Sequence, residues 1–291
     1  MSLDHTTSTP ARAIYDDVAR RSAAVVIRAY STSFAWACRL LAEPVRTHVR
    51  NVYALVRIAD EVVDDPAAAT EAVHRGHLLT VLEEETYQAL RTGYSTNLVV
   101  HAFAGTARAC GIGPELLTPF FASMRADLAV HEHDRASLDT YVYGSAEVVG
   151  LMCLRVFLTD PAVRSGYDEL APGARRLGAA FQKVNFLRDL AEDHDDLGRT
   201  YFPGLDPEHF TDTHKDALLD DIDADLAAAA AVVPLLPPSS RRAVRAAHGL
   251  FAELSRRLRT TPARRIRAER VRVPGPVKAR ILLGSLLGVG A

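Results

Sequence analysis

An all-α fold is predicted by three observations. Apolar residues recur at helical spacing through nearly all of the 291 positions, and no segment alternates apolar and polar residues as a half-buried strand would. Proline and glycine clusters then cut the chain into pieces of helix length. In order, the spacing predicts a helix over 11–30, and a second from Ser31 that Pro44 stops. A third covers 45–65 and ends at Pro66, and a fourth runs over about 69–90. Gly111, Gly113 and Pro114 divide the next two, since Pro114 suits a first helical turn. Ser137 is the expected N-cap of a helix reaching Phe157. Further helices are expected over 173–195, 213–232 and 239–259, with Gly198, Pro203, Gly204 and Pro207 making a loop between the first two. No repeat of fixed period is present and the loops are short, so one domain over 1–291 is expected, with 1–10 disordered and 281–291 an apolar tail.

With 48% hydrophobic and 24% charged residues, the composition is that of a globular protein with a sizeable core. A net charge of -2 and no basic patch interleaved with aromatics argue against nucleic acid as a partner. Cys38, Cys110 and Cys153 are far apart and odd in number, which fits neither a disulfide framework nor a zinc site. The polar N-terminus lacks a signal peptide's apolar core, and no run reaches the ~20 apolar residues of a spanning helix, so a cytoplasmic location is expected.

The chemistry is carried by two acidic helices. In the third predicted helix, Tyr53, Arg57, Asp60 and Asp64 fall on one face, and Asp60 and Asp64 stand one turn apart. The flanking Val, Ile and Leu residues mark the helix as largely buried, where paired carboxylates are costly without a cation between them. For this motif alone, a solvated acidic face is the competing reading. The arrangement then recurs: Gln182, Asn185, Asp189 and Asp193 share a face far along the chain, with Arg188 at its edge. Magnesium takes oxygen ligands and commonly bridges carboxylates to substrate phosphates, so a diphosphate held between two such helices would be polarised as a leaving group. Arg199 and Tyr201 follow on the constrained Gly198–Pro203 loop, placed to close over it and exclude water.

These motifs resemble the squalene/phytoene synthase family, most nearly its bacterial phytoene synthases, over roughly 31–278. Ser31, Ser33 and Phe34 look like the family's early serine-rich motif, and Tyr53 to Asp64 its first aspartate motif. Tyr141 to Gly150 is similar to the helix lining the prenyl cavity, while 182–193 and 198–203 match the second motif and its flap. The resemblance implies a single-domain isoprenoid synthase-type bundle around a central cavity. It implies head-to-head condensation of two geranylgeranyl diphosphates through a cyclopropyl diphosphate to phytoene. Asp60, Asp64, Asn185, Asp189 and Asp193 would hold Mg²⁺, with Mn²⁺ as the alternative ion. Arg57, Gln182, Asn185, Arg188, Arg199 and Tyr201 would hold or shape the diphosphate site. Ser31, Ser33, Phe34, Tyr53, Tyr141, Ser145 and Val149 would contact substrate. Two other activities stay open: presqualene or squalene synthesis from farnesyl diphosphate, and cyclisation of a single prenyl diphosphate. The chain departs from the family pattern at Lys183, Val184 and Phe186, at Glu147, where a small residue is usual, and at Tyr30, where some relatives carry histidine.

Other signals point elsewhere. Gly144-Ser145 lacks the GxSxG context of a nucleophile. His131, Glu132, His133 and Asp134 read as a solvated helix end, and His74 and His77 as surface. No GxGxxG follows a strand, so no NADPH requirement is expected. From Arg256 onward only Glu269 opposes a run of Arg and Lys residues, and the chain ends in apolar sequence. Two readings stand for this part: a membrane-surface element that hands product to lipid, or a packed helix with Arg270 or Lys278 closing the diphosphate end.

Overall fold

The structure is a computed structural model and describes residues 10–64, 72–191 and 199–287, without the side chains of Thr32, Ser33 and Pro207. Its helices are α1 (Pro10–Tyr30), α2 (Thr32–Cys38), α3 (Val45–Asp64), α4 (Ala72–Thr92), α5 (Leu98–Cys110), α6 (Pro114–Ala126), α7 (Arg135–Val142), α8 (Val148–Phe157), α9 (Tyr167–Arg188), α10 (Asp212–Val232), α11 (Pro238–Thr260), α12 (Ala263–Ile266) and α13 (Gly275–Leu287). A wide turn of π type, Tyr143–Glu147, joins α7 to α8. Among the described residues the one β feature is an isolated bridge between Glu132 and Thr200. The all-α expectation therefore holds.

Local chemistry explains where most helices begin and end. Asn97 caps α5 by accepting from the N–H groups of Val99 and Val100, and Gly111 closes it in the left-handed region that glycine enters without steric cost. Some boundaries differ from expectation. Asp134, not Ser137, caps α7: its carboxylate accepts from the Ser137 N–H, so the expected cap sits in the first turn instead. Helix α2 stops at Cys38, well before Pro44. Helix α9 begins six residues before Gly173, since Pro172 so near a helix start removes only one backbone bond. Residues 281–287 of the expected tail are helical, as the end of α13.

Two cores flank the functional space. One joins α3, α4, α5, α6 and α8 through residues such as Leu55, Leu79, Phe103, Phe120, Phe121 and Met152. The other joins α7, α9, α10 and α11 through Leu187, Ile222 and Leu258, and takes in Tyr201 and Phe202. Helices α8 and α9 meet very closely. A Cβ on Gly150 would lie 2.5 Å from the Ala174 carbonyl oxygen, and one on Gly178 would lie 2.4 Å from that of Ala146, so neither position accepts a side chain.

Candidate active site

Between these cores lies a cavity of about 720 Å³, walled by α2, α3, the π turn with α8, α9 and α11. Its lining changes character along α3 and α9. The part of α3 before Arg57 contributes Val49, Val52, Tyr53 and Val56, and its last two turns contribute Arg57, Asp60 and Asp64. Helix α9 does the same, from Leu170, Ala174 and Leu177 to Gln182, Asn185, Arg188 and Asp189. At ~1.5 Å per residue, these walls extend roughly 22 Å along α3 and roughly 28 Å along α9. Both acidic ends meet at one place: Phe186 stacks on Tyr201 with centroids 3.9 Å apart, and Arg199 Nη1 donates to Asp64 at 2.8 Å. Two helix C-termini, each with a negative dipole end, thus converge beside carboxylates.

Burial, then the Asp64 charge, push the Asp60 carboxyl up to about 8, against the pull of Arg57. Asp64 is bound by Arg199, whose Nη2 also donates to the Val63 carbonyl at 3.1 Å. Across the cavity, Asp189 ends α9 and accepts from Arg188 Nε at 2.8 Å, while Arg270 Nε lies 2.9 Å away. Arg57 pairs with Glu61 and lies over the Tyr30 ring, 4.5 Å from its centroid.

The apolar half is aromatic on one side. Phe34 packs on Tyr53 at 6.0 Å and edge-on to Phe181 at 6.1 Å, and Phe181 stacks on Phe251 at 3.7 Å. Ser145 and Val149 line the same space, and the buried Ser145 hydroxyl has no hydrogen-bond partner in the structure. Ser31 caps α2 by accepting from the Phe34 N–H at 3.1 Å and is not among the lining residues. The Ser33 side chain and Asp193 lie outside the described residues.

Sequence reasoning passed over Asp127, the residue after α6. Its carboxylate, buried at 8% exposure, faces the cavity and accepts from the Tyr141 hydroxyl at 2.8 and 3.0 Å and from the Tyr201 hydroxyl at 3.3 Å. Burial pushes it up to about 6, against Arg199 and the Tyr141 hydroxyl. His133 was also misread: it is buried rather than solvated and packs on Tyr201, ring centroids 5.8 Å apart. The family departures find an account too. Lys183 turns out of the cavity to Asp221 and Asp225, at 2.6 and 2.7 Å, and Glu147 pairs with Arg175 at 2.6 Å. Phe186 lines the cavity and holds Tyr201.

A divalent ion fits the donors present, under one condition. Among the described residues no three acidic or imidazole side chains cluster closely enough to hold an ion unaided. Asp60 and Asp64 of α3 and Asp189 at the end of α9 offer hard oxygen donors from opposite walls, so an ion held on either wall needs further oxygens from a ligand between them. Arg57, Arg188, Arg199 and Arg270 line the same end, so an anionic ligand entering it meets cations as well as carboxylates.

The site is an all-helical cavity with acidic motifs on facing walls, and comparison with known proteins assigns it to a family. The squalene/phytoene synthase family model matches residues 27–276, and the chain belongs to that family. It is 30% identical over 249 residues to a phytoene synthase of Pseudescherichia vulneris, covering 77% of each chain. It is 31% identical over 179 residues to a 4,4'-diapophytoene synthase of Staphylococcus haemolyticus, covering 61% of this chain and 59% of the relative. The match to phytoene synthase 3 of Zea mays, 30% identical and covering 61% of this chain, spans 41% of that protein. A dehydrosqualene synthase structure superposes with a TM-score of 0.78 at 20% identity, covering 94% of this chain and 97% of the other. The squalene synthase HpnC of Alicyclobacillus acidocaldarius gives 0.72 at 22% identity, covering 88% and 98%. At these identities the structural likeness speaks for the fold.

Proposed function

We propose that this protein is a magnesium-dependent prenyltransferase that condenses two geranylgeranyl diphosphates head to head into phytoene, with release of diphosphate. The observation that carries this reading is the division of one cavity into an acidic end and a long apolar remainder. The first suits diphosphates with their counter-ions, the second two prenyl chains.

Asp60 and Asp64 on α3, with Asn185 and Asp189 on the opposite side, would hold Mg²⁺ together with Asp193 of the same sequence motif, and the ion would neutralise the leaving diphosphate. A bound ion would compete with Arg199 for Asp64 and with Arg270 for Asp189, and both guanidiniums would then also pair with phosphate oxygens. Arg57 and Arg188 add charge from the two walls, and Gln182 and Asn185 add polar contacts. In the first step the allylic C–O bond of one substrate breaks and its electron pair leaves with diphosphate. The double bond of the second substrate attacks the cation, and loss of a proton closes a cyclopropane. In the second step the remaining diphosphate leaves, the cation rearranges, and a further proton is lost to give the product. Phe34, Tyr53, Phe181 and Phe251 present π faces that favour a cation, and the apolar wall keeps water from capturing it. Loss of a proton at the end needs no reductant, so no NADPH requirement follows.

One relative carries the name 4,4'-diapophytoene synthase rather than phytoene synthase, so a second reading within the same chemistry stands, with farnesyl diphosphate as substrate. Lipid contact is part of the proposal. Leu283, Leu286 and Leu287 are exposed on α13, which packs against α2 and α11, two walls of the cavity. Arg280 adjoins these leucines by helical register, a combination that suits an anionic lipid surface receiving an insoluble product. Release of inorganic diphosphate from each prenyl diphosphate, with and without magnesium, tests the reading. Release from neither substrate at saturating magnesium contradicts it.

A further inference from the structure

Four parts of the chain that are distant in sequence meet at Asp127. The residue itself follows α6. Tyr141 comes from the end of α7, Arg199 and Tyr201 from the segment after α9, and Asp64 from the last turn of α3. Both Asp127 oxygens accept from the Tyr141 hydroxyl, and Oδ1 also accepts from Tyr201. Arg199 Nη1 lies 3.8 Å from Asp127 Oδ1 and 2.8 Å from Asp64 Oδ1, so one guanidinium joins the two carboxylates. Around this centre, Phe186 and His133 pack against the Tyr201 ring, and the Thr200 N–H donates to the His131 carbonyl at 2.8 Å.

A buried carboxylate carries a large desolvation cost unless its lone pairs are used. Here two phenolic donors use them and a guanidinium 3.8 Å away balances the charge, which leaves Asp127 serving as an anchor rather than as a metal ligand. A neutral isostere cannot do the same work. An amide replaces one acceptor oxygen by an NH₂ that would face donors, and it brings no charge to balance Arg199.

We propose that Asp127 is a positioning residue: it fastens the 199–203 segment over the acidic end of the cavity and so sets where the Arg199 charge and the Tyr201 phenol stand relative to the leaving diphosphate. The functional half of this rests on the reading of the acidic end as the diphosphate site. The anchoring half does not. Because Asp127 acts through other side chains, its loss should slow the chemical step more than it weakens substrate binding.

Two readouts on Asp127→Asn separate the halves. Hydrogen exchange followed in peptides covering the Thr200 amide should accelerate about tenfold or more, while α3 and α5 exchange as in the wild type. With whichever prenyl diphosphate the wild type consumes, kcat should fall roughly tenfold to a hundredfold with KM changed by less than about threefold. Asp127→Glu, which keeps the charge, should recover part of both. Tyr141→Phe removes one donor while keeping the ring, and gives a milder change in the same direction should Asp127→Asn fold poorly. Unaltered exchange at Thr200 overturns the anchoring. Faster exchange with unaltered kcat overturns the link to catalysis. A wild type inert toward every prenyl diphosphate removes the functional half together with the proposed function, and the exchange result still decides the anchoring.

Discussion

Arg199 donates to Asp64 at 2.8 Å across 135 positions of sequence, and this pair joins the segment after α9 to the first acidic helix. The guanidinium is nearly buried, at 7% exposure, whereas Asp64 is partly open. Replacing Arg199 by Gln leaves Asp127 buried without its cation. A loss of roughly 2–4 kcal/mol is expected, and it should grow with pH. Without Arg199 the folded Asp127 carboxyl is pushed above its present value of about 6. The folded protein then holds a proton that the unfolded chain gives up near the ordinary carboxylate pKa, so stability falls as pH rises through that window. Thermal melts of Arg199→Gln against wild type at pH 5 and pH 8 check the sign.

Asp60→Asn should behave in the opposite way in chelator. With the folded Asp60 pushed up to about 8 from an ordinary 3.8, wild-type stability declines from about pH 4 to about pH 8, because the folded state keeps its proton and the unfolded state does not. The amide removes that decline. In EDTA, Asp60→Asn should therefore gain in melting temperature relative to wild type between pH 6 and pH 8.5. With magnesium and diphosphate present, the wild type should gain and the variant should not.

Asp60→Asn and Asp189→Asn should each abolish most turnover while leaving the helical circular dichroism unaltered, since both side chains line the cavity rather than fill a core. Near-normal diphosphate release by either variant at limiting magnesium would remove the metal-binding role given to these residues.

These roles differ in how far the sequence alone reveals them. Asp60, Asp64, Gln182, Asn185 and Asp189 lie on two helices at one-turn spacing, so periodicity alone gathers them. Asp127 follows a helix as a lone acid, and its partners Tyr141, Tyr201 and Arg199 are set by tertiary packing. Nothing local marks it. His133 fails for the same reason: its neighbours Glu132 and Asp134 read as solvent-facing, while its ring is covered by a segment more than sixty residues on. The Asp134 cap was readable, because Asp is itself a preferred N-cap residue, and Ser137 competed as an equally good one. Lys183 and Glu147 could be placed only once α10 and Arg175 were in view.

The metal requirement has its own test. EDTA should stop diphosphate release and magnesium should restore it. Calcium should restore it poorly, since it binds at longer range and polarises the leaving group less. Full activity in chelator is incompatible with carboxylates that bind diphosphate through an ion.

The most direct measurement is product identification by mass spectrometry after incubation with geranylgeranyl or farnesyl diphosphate, each with and without NADPH. The expected result is phytoene from geranylgeranyl diphosphate, in equal yield whether or not NADPH is present. Inert geranylgeranyl diphosphate beside squalene from farnesyl diphosphate and NADPH would contradict the phytoene assignment, and cyclised products from single prenyl units would contradict head-to-head coupling itself.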